Sequence, residues 1–242
     1  MKLTEHLLSL DTDNFKKATQ HEFLKQVGQF DIKPEHLKAW IIQDRFYTGG
    51  YVSMMGTMVS RLALFEDQRE LGDNDPSFSV TRSQGILKTL SFALSNVYRE
   101  ANFFTEILNK PCYSMDQSVT QKETTLRYIE FEKKVARESG YDLGEALIVL
   151  WAMEKVFYTA WSYAKSISSS EQQQQKTDDL HLQSCRELME NWTLPEFNTF
   201  VEECAFHVDQ LSTKDPRRLQ SFEKTYRDCL ALEVIFWESA FD

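Results

Sequence analysis

Three apolar stripes at helical spacing are each interrupted by a single carboxylate, and this pattern most constrains the fold. The acids and their stripes are Asp44 in 37–54, Glu154 in 147–161 and Glu233 in 222–240. In each stripe the acid takes an i±3/i±4 position that should face the core. A buried carboxylate needs a partner or must shift its pKa. Three of them, all flanked by aromatic residues, predict a polar pocket inside a helical bundle.

The composition favours helices throughout the chain. The 242 residues include eight Gly and five Pro, and no segment of any length alternates apolar and polar residues. A domain of this size should bury roughly 70% of its unfolded surface. We therefore predict an all-α, single-domain helical bundle that spans residues 1–242. Residues 168–179, rich in Ser and Gln, are interpreted as an exposed loop within it.

The charge and the cysteines indicate which partners to expect. The net charge is −10, and no run of basic residues is longer than a pair such as Lys133–Lys134 or Arg217–Arg218, so we expect neither nucleic-acid nor membrane partners. No apolar run approaches the roughly 20 residues of a membrane span. The four cysteines form no CxxC pair. A cytoplasmic location is the simplest interpretation, with the nucleus as the alternative.

About eight helical segments can be placed along the chain. Asp11-Thr12-Asp13 is a candidate N-cap for a helix over 13–27, and prolines 34, 195 and 216 indicate helix starts. Gly49 and Gly50 should weaken or kink the helix that begins at Pro34. The predicted segments are 13–27, 34–65, 81–108, 118–138, one opened by Asp142, one from 180, one from 195 and one from 216.

Aromatic residues accompany the three acids on their helix faces. Tyr47 lies three residues after Asp44, Tyr158 lies four after Glu154, and Phe236 lies three after Glu233. A tyrosine can donate its hydroxyl and stack its ring on a flat ligand. This repetition suits a small, planar, hydrogen-bonding ligand such as a heteroaromatic amine. The alternative is a set of core acids satisfied by tyrosine, backbone or lysine partners.

Several segments resemble the TenA family of thiamin-salvage proteins, in matching order along nearly the whole chain. They are ATQHEFL (18–24), AWIIQDRFY (39–47), LWAMEKVFYTAW (150–161), ENWTLPEFNTFV (190–201) and ALEVIFWESAF (231–241). The resemblance implies a heme-oxygenase-like bundle with a central pocket for a thiamin-derived aminopyrimidine. It also implies a homo-oligomer, a dimer or tetramer.

The resemblance also assigns roles to individual residues. Asp44 matches the aspartate that holds the ring nitrogen and amino group of the pyrimidine, and Tyr47 matches the aromatic residue after it. Tyr128 matches the pocket tyrosine of the middle helix. Glu233 matches the C-terminal catalytic glutamate, and Trp192 takes a stacking position that is tyrosine in other members.

Glu154 departs from the pattern of many TenA members. They carry a nucleophilic cysteine four residues before a tyrosine, and here Glu154 and Tyr158 hold that spacing. The chain therefore resembles a glutamate subgroup of the family. A glutamate is a poorer nucleophile than a thiolate but a good proton carrier. With Glu154 and Glu233 as the catalytic pair, we expect hydrolysis of aminomethyl- or formylaminomethyl-pyrimidine, with no cofactor and no metal.

Two other functions remain open at this point. A binding or regulatory protein could keep the pyrimidine pocket without the chemistry. A heme or di-iron oxygenase of the same fold is the third interpretation, since His21 lies where heme oxygenases place their ligating histidine. A histidine at a helix end also packs or caps the helix, and that is the simpler interpretation of His21.

Overall fold

The computed structural model describes five stretches of the chain: residues 1–62, 80–113, 120–140, 142–169 and 178–241. These residues form ten α-helices and contain no strand, as the sequence predicts. The helices are α1 (Leu3–Leu10), α2 (Thr12–Thr19), α3 (Glu22–Gly28), α4 (Pro34–Val59), α5 (Val80–Leu108), α6 (Glu123–Glu138), α7 (Gly144–Ile167), α8 (Leu180–Asn191), α9 (Pro195–Asp209) and α10 (Pro216–Glu238). None of the described helices is long and apolar enough to cross a membrane.

The N-terminal segment differs from its prediction. Helix α1 was not predicted, and the single helix expected over 13–27 is divided into α2 and α3. The division falls at His21, whose extended backbone and side chain cap α3: Nδ1 accepts a hydrogen bond from the Phe23 N–H at 3.2 Å. Asp11 caps α2 by accepting from the Asn14 N–H at 3.1 Å, so this predicted cap is confirmed.

Helix α4 begins at Pro34, as predicted, and the two glycines do not interrupt it. Gly50 lies against α6, where a Cβ would stand 2.6 Å from Ile129 Cγ1 and 2.8 Å from Glu132 Oε2. The missing side chain thus lets the two helices approach closely. The helix ends at Val59 rather than near 65. Residues 63–79 lie outside the described residues, as do 118 and 119 of the predicted segment 118–138 and 170–177 of the predicted loop.

Helix α7 is the central element of the bundle. It packs against α2, α3, α6, α8, α9 and α10, while α4 packs against α5 and α6. Most of its side chains are buried, since it is surrounded on all sides. Trp161 of α7 packs in a cluster of four tryptophans. Between ring centroids, Trp40 lies 5.4 Å from Trp161 and 5.4 Å from Trp237, and Trp161 stacks on Trp192 at 4.9 Å.

Candidate functional site

A cavity opens between α4, α5 and α7, beside the end of α8. The space inside it that a water molecule can occupy is about 30 Å³, and the total with the surrounding gaps and the open solvent at its mouth is about 430 Å³. Three of its walls carry a carboxyl group, and tyrosine, phenylalanine and tryptophan rings fill most of the space between them. The lining residues are Asp44, Tyr47, Thr48, Tyr51, Asn96, Val97, Glu100, Met153, Glu154, Phe157 and Trp192.

Asp44 contributes a carboxyl group without a hydrogen-bond partner among the described residues. Its side chain lines the cavity, only 3% of the residue is exposed, and it makes no hydrogen bond to another described residue. Burial raises the pKa of Asp44 well above its ordinary value, and the neighbouring acids Glu100 and Glu233 add to the effect. The free protein therefore presents a protonated or readily protonated acid to whatever enters the cavity.

Glu154 faces the same cavity from α7. The Tyr51 hydroxyl donates a hydrogen bond of 2.6 Å to Glu154 Oε1. Burial raises the pKa of Glu154 to about 8, although the Tyr51 hydrogen bond acts in the opposite direction. A carboxyl group that titrates near neutral pH can exchange a proton with a bound ligand or with water.

Glu233 lies behind the cavity rather than in its wall. It is fully buried on α10, and the Tyr128 hydroxyl donates a 2.6 Å hydrogen bond to its Oε1. Burial raises the pKa of Glu233 to about 8. The Tyr128 ring lies 5.0 Å from the ring of Tyr47, which does line the cavity. The structure thus places two of the three acids in the cavity lining and the third, Glu233, outside that described lining.

The other residues expected at the site also form two groups, those that line the cavity and those that lie outside its described lining. Tyr47 and Trp192 line the cavity. Phe236 is buried behind Tyr47, with ring centroids 5.4 Å apart. The ring of Tyr158 lies away from the described lining, 6.4 Å from that of Phe197 and with Lys155 Nζ 6.0 Å from its centroid. Spacing alone placed Tyr158 on the Glu154 face, but α7 is buried on all sides, so neighbouring positions on it meet different helices.

The sequence analysis missed two further acids. Glu100 on α5 lines the cavity, and burial raises its pKa to about 7. Glu132 on α6 is fully buried, with the Tyr47 side chain as its polar neighbour. Burial raises its pKa well above the ordinary value. The same i±3/i±4 rule would have found both, since Glu100 lies three residues after Val97 and Glu132 lies four after Tyr128.

Several solved structures that share this arrangement of helices are TenA homologues. A TenA homologue from Pyrococcus furiosus superposes with a TM-score of 0.78 at 15% identity, covering 99% of this chain and 100% of the other. A TenA homologue from P. horikoshii OT3 gives 0.75 at 16% identity, with 100% and 99% covered. A TenA family transcription regulator from Silicibacter sp. TM1040 gives 0.73 at 13% identity, with 100% and 97% covered. The chain therefore has the all-α, heme-oxygenase-like fold of TenA homologues, as the sequence predicted.

Comparisons of the sequence alone give fewer matches than comparisons of the structure. No family model matches the chain. A protein of Fusarium pseudograminearum (strain CS3096) named "Probable transcription factor" is 23% identical over 237 residues. The match covers 87% of this chain but 45% of the relative, so the chain spans less than half of that protein's length.

Proposed function

We propose that this chain is a TenA-family protein of the glutamate subgroup that hydrolyses thiamin-derived aminopyrimidines. The observation that carries the proposal is Asp44, a buried carboxyl group that has no hydrogen-bond partner in the described part of the chain and lines a cavity with aromatic walls. An unpaired buried acid is costly to the fold, and a ligand that offers both a donor and an acceptor removes that cost.

Binding would rest on Asp44 and on the rings around it. The carboxyl group can share a proton with a pyrimidine ring nitrogen while its second oxygen accepts from the exocyclic amino group. The raised pKa of Asp44 suits this, because the acid brings the shared proton itself. Tyr47, Phe157 and Trp192 line the same cavity and can pack on the faces of a planar ring.

Hydrolysis would use Glu154 in the cavity and Glu233 behind it. In the proposed reaction, the carbon–nitrogen bond of the aminomethyl group breaks and a carbon–oxygen bond to water forms. The products are a hydroxymethylpyrimidine and ammonia. Glu154 in its ionised form takes a proton from the attacking water. Glu154 then returns this proton to the departing nitrogen, which leaves as ammonia, and Glu233, held by Tyr128, is the second proton carrier, acting through the Tyr128 hydroxyl. The formylaminomethyl compound is the alternative substrate of the same cavity.

The test is ammonia release from aminomethylpyrimidine. We expect the wild-type protein to release ammonia and Glu154→Gln to be slower by about 10²–10⁴-fold, the usual contribution of general acid–base catalysis. Glu202→Gln is a matched control, since Glu202 is exposed on α9 and the charge change is the same. Ammonia release that does not depend on Glu154 would refute the assignment of this residue.

A binding or regulatory protein is the second candidate. The position of Glu233 favours it, because a fully buried acid outside the described cavity lining leaves one carboxyl group fewer for the reaction. The names of the Fusarium relative and of the Silicibacter structure point in the same direction for those proteins. Calorimetry separates the two candidates: tight binding of the pyrimidine without any ammonia release would favour the binding protein.

A further inference from the structure

Glu100 is held in the cavity wall by a preorganised polar frame. Arg99 donates from Nη1 to Asn191 Oδ1 at 2.5 Å and from Nη2 to Asn96 Oδ1 at 2.8 Å. Because a guanidinium group only donates, it fixes both amide oxygens toward itself. The amide nitrogens then face Glu100 and donate to its Oε1, at 3.1 Å from Asn96 and 3.5 Å from Asn191.

This frame offers donors to Glu100 and so favours its carboxylate form against burial, which raises the pKa of Glu100 to about 7. The neighbouring Trp192 side chain also favours the carboxylate. A carboxylate accepts about four hydrogen bonds, so the donors from Asn96 and Asn191 leave room for a ligand. Arg99 Nη2 lies 4.0 Å from Glu100 Oε1, and 49% of the arginine side chain is exposed, so solvent shares in its charge.

The surroundings of Glu100 favour a ligand that carries a positively charged group. Asp44 and Glu154 share the cavity with it, and none of the described lining residues is Lys, Arg or His. Asp44, which is 3% exposed, has no partner among the described residues. A neutral ligand could satisfy Asp44 by hydrogen bonds alone, but it would leave the carboxylate of Glu100 without a counter-charge on the cavity side.

We infer that Glu100 is a specificity-determining residue that binds an ammonium group on the substituent of the bound pyrimidine. This inference rests on the proposed function. It selects one of the two substrates: an aminomethyl group is a cation at neutral pH, whereas a formylaminomethyl group is a neutral amide. The hydroxymethyl product is also neutral, so the same residue would favour substrate over product and help the product to leave.

The test compares two pyrimidines that differ only in this charge. Binding of aminomethyl- and hydroxymethyl-pyrimidine is measured by calorimetry in a Glu154→Gln background, so that the amine is not consumed, and again after adding Glu100→Gln. We expect the parent to prefer the amine by about 10-fold or more, typical of a hydrogen bond between charged groups. Glu100→Gln should abolish this preference, and its continued binding of hydroxymethylpyrimidine shows that the variant is folded.

Two further variants sharpen the comparison. Glu100→Asp keeps the charge, so it should retain more of the preference than Glu100→Gln. Glu106→Gln makes the same charge change at an exposed position of α5 and should behave like the parent. Equal binding of both pyrimidines by the parent, or a preference that survives in Glu100→Gln, would overturn the role of Glu100 while leaving the pyrimidine site intact. Binding of neither compound would overturn the proposed function and this inference together.

Discussion

Replacement of Glu233 by Gln should stabilise the protein increasingly as the pH rises. Glu233 is fully buried, its Oε1 accepts from Tyr128, and its Oε2 has no partner among the described residues. No described cation contacts it, so the folded protein favours the neutral acid. Glutamine has nearly the same shape and stays neutral at every pH. It can also keep the hydrogen bond from Tyr128.

The expected size follows from the pKa of Glu233, which burial raises from 4.5 to about 8. Between these two pH values the folded state binds more protons than the unfolded state, so the free energy of unfolding falls as the pH rises. The stability is therefore fully present below pH 4.5 and is lost as the pH rises to about 8. At about 1.4 kcal/mol for each pH unit, the loss reaches about 5 kcal/mol, and Glu233→Gln should not show it.

Urea unfolding, followed by tryptophan fluorescence at several values between pH 5 and 8, measures this difference. The free energy of unfolding of Glu233→Gln minus that of the wild type should grow by several kcal/mol over this range. Glu238→Gln, at an exposed position of the same helix, should follow the wild type. A difference between Glu233→Gln and wild type that stays constant with pH would refute the argument that burial keeps Glu233 protonated.

Three further predictions follow from the geometry of α4 and the cavity. Gly50→Ala should destabilise the protein by about 1–3 kcal/mol because the added methyl overpacks the contact with α6. Gly49→Ala has nothing within 4 Å of its Cβ position, so it should stabilise the protein by up to about 1 kcal/mol through helix propensity. Thermal unfolding of the two variants measures this difference. Asp44→Asn should weaken aminopyrimidine binding in calorimetry by about 10-fold or more, since an amide cannot share a proton with the ring nitrogen. Tyr51→Phe removes a hydrogen bond that lowers the pKa of Glu154, so the Glu154-dependent limb of the pH–rate profile should move to higher pH; an unchanged profile would contradict that role.

The sequence by itself determined the fold class and the existence of buried acids. The 3.6-residue periodicity predicted helices because every stripe must bury one face. Prolines 34, 195 and 216 marked three helix starts because proline at the first turn removes no intrahelical hydrogen bond. Asp44 and Glu154 were predicted to share a pocket from their apolar surroundings, and both line the cavity.

Only the tertiary structure decided which acids reach the cavity and in what state. Periodicity shows that a side chain faces inward, but not which neighbouring helix it meets. For this reason Glu233 and Tyr158 were expected at the cavity, although neither belongs to its described lining. Glu100 is held in position by Arg99 and by Asn191, which lies 91 residues away in the sequence. No local spacing predicts this contact. The raised pKa values likewise depend on burial by several helices at once, and such burial exists only once the bundle has assembled.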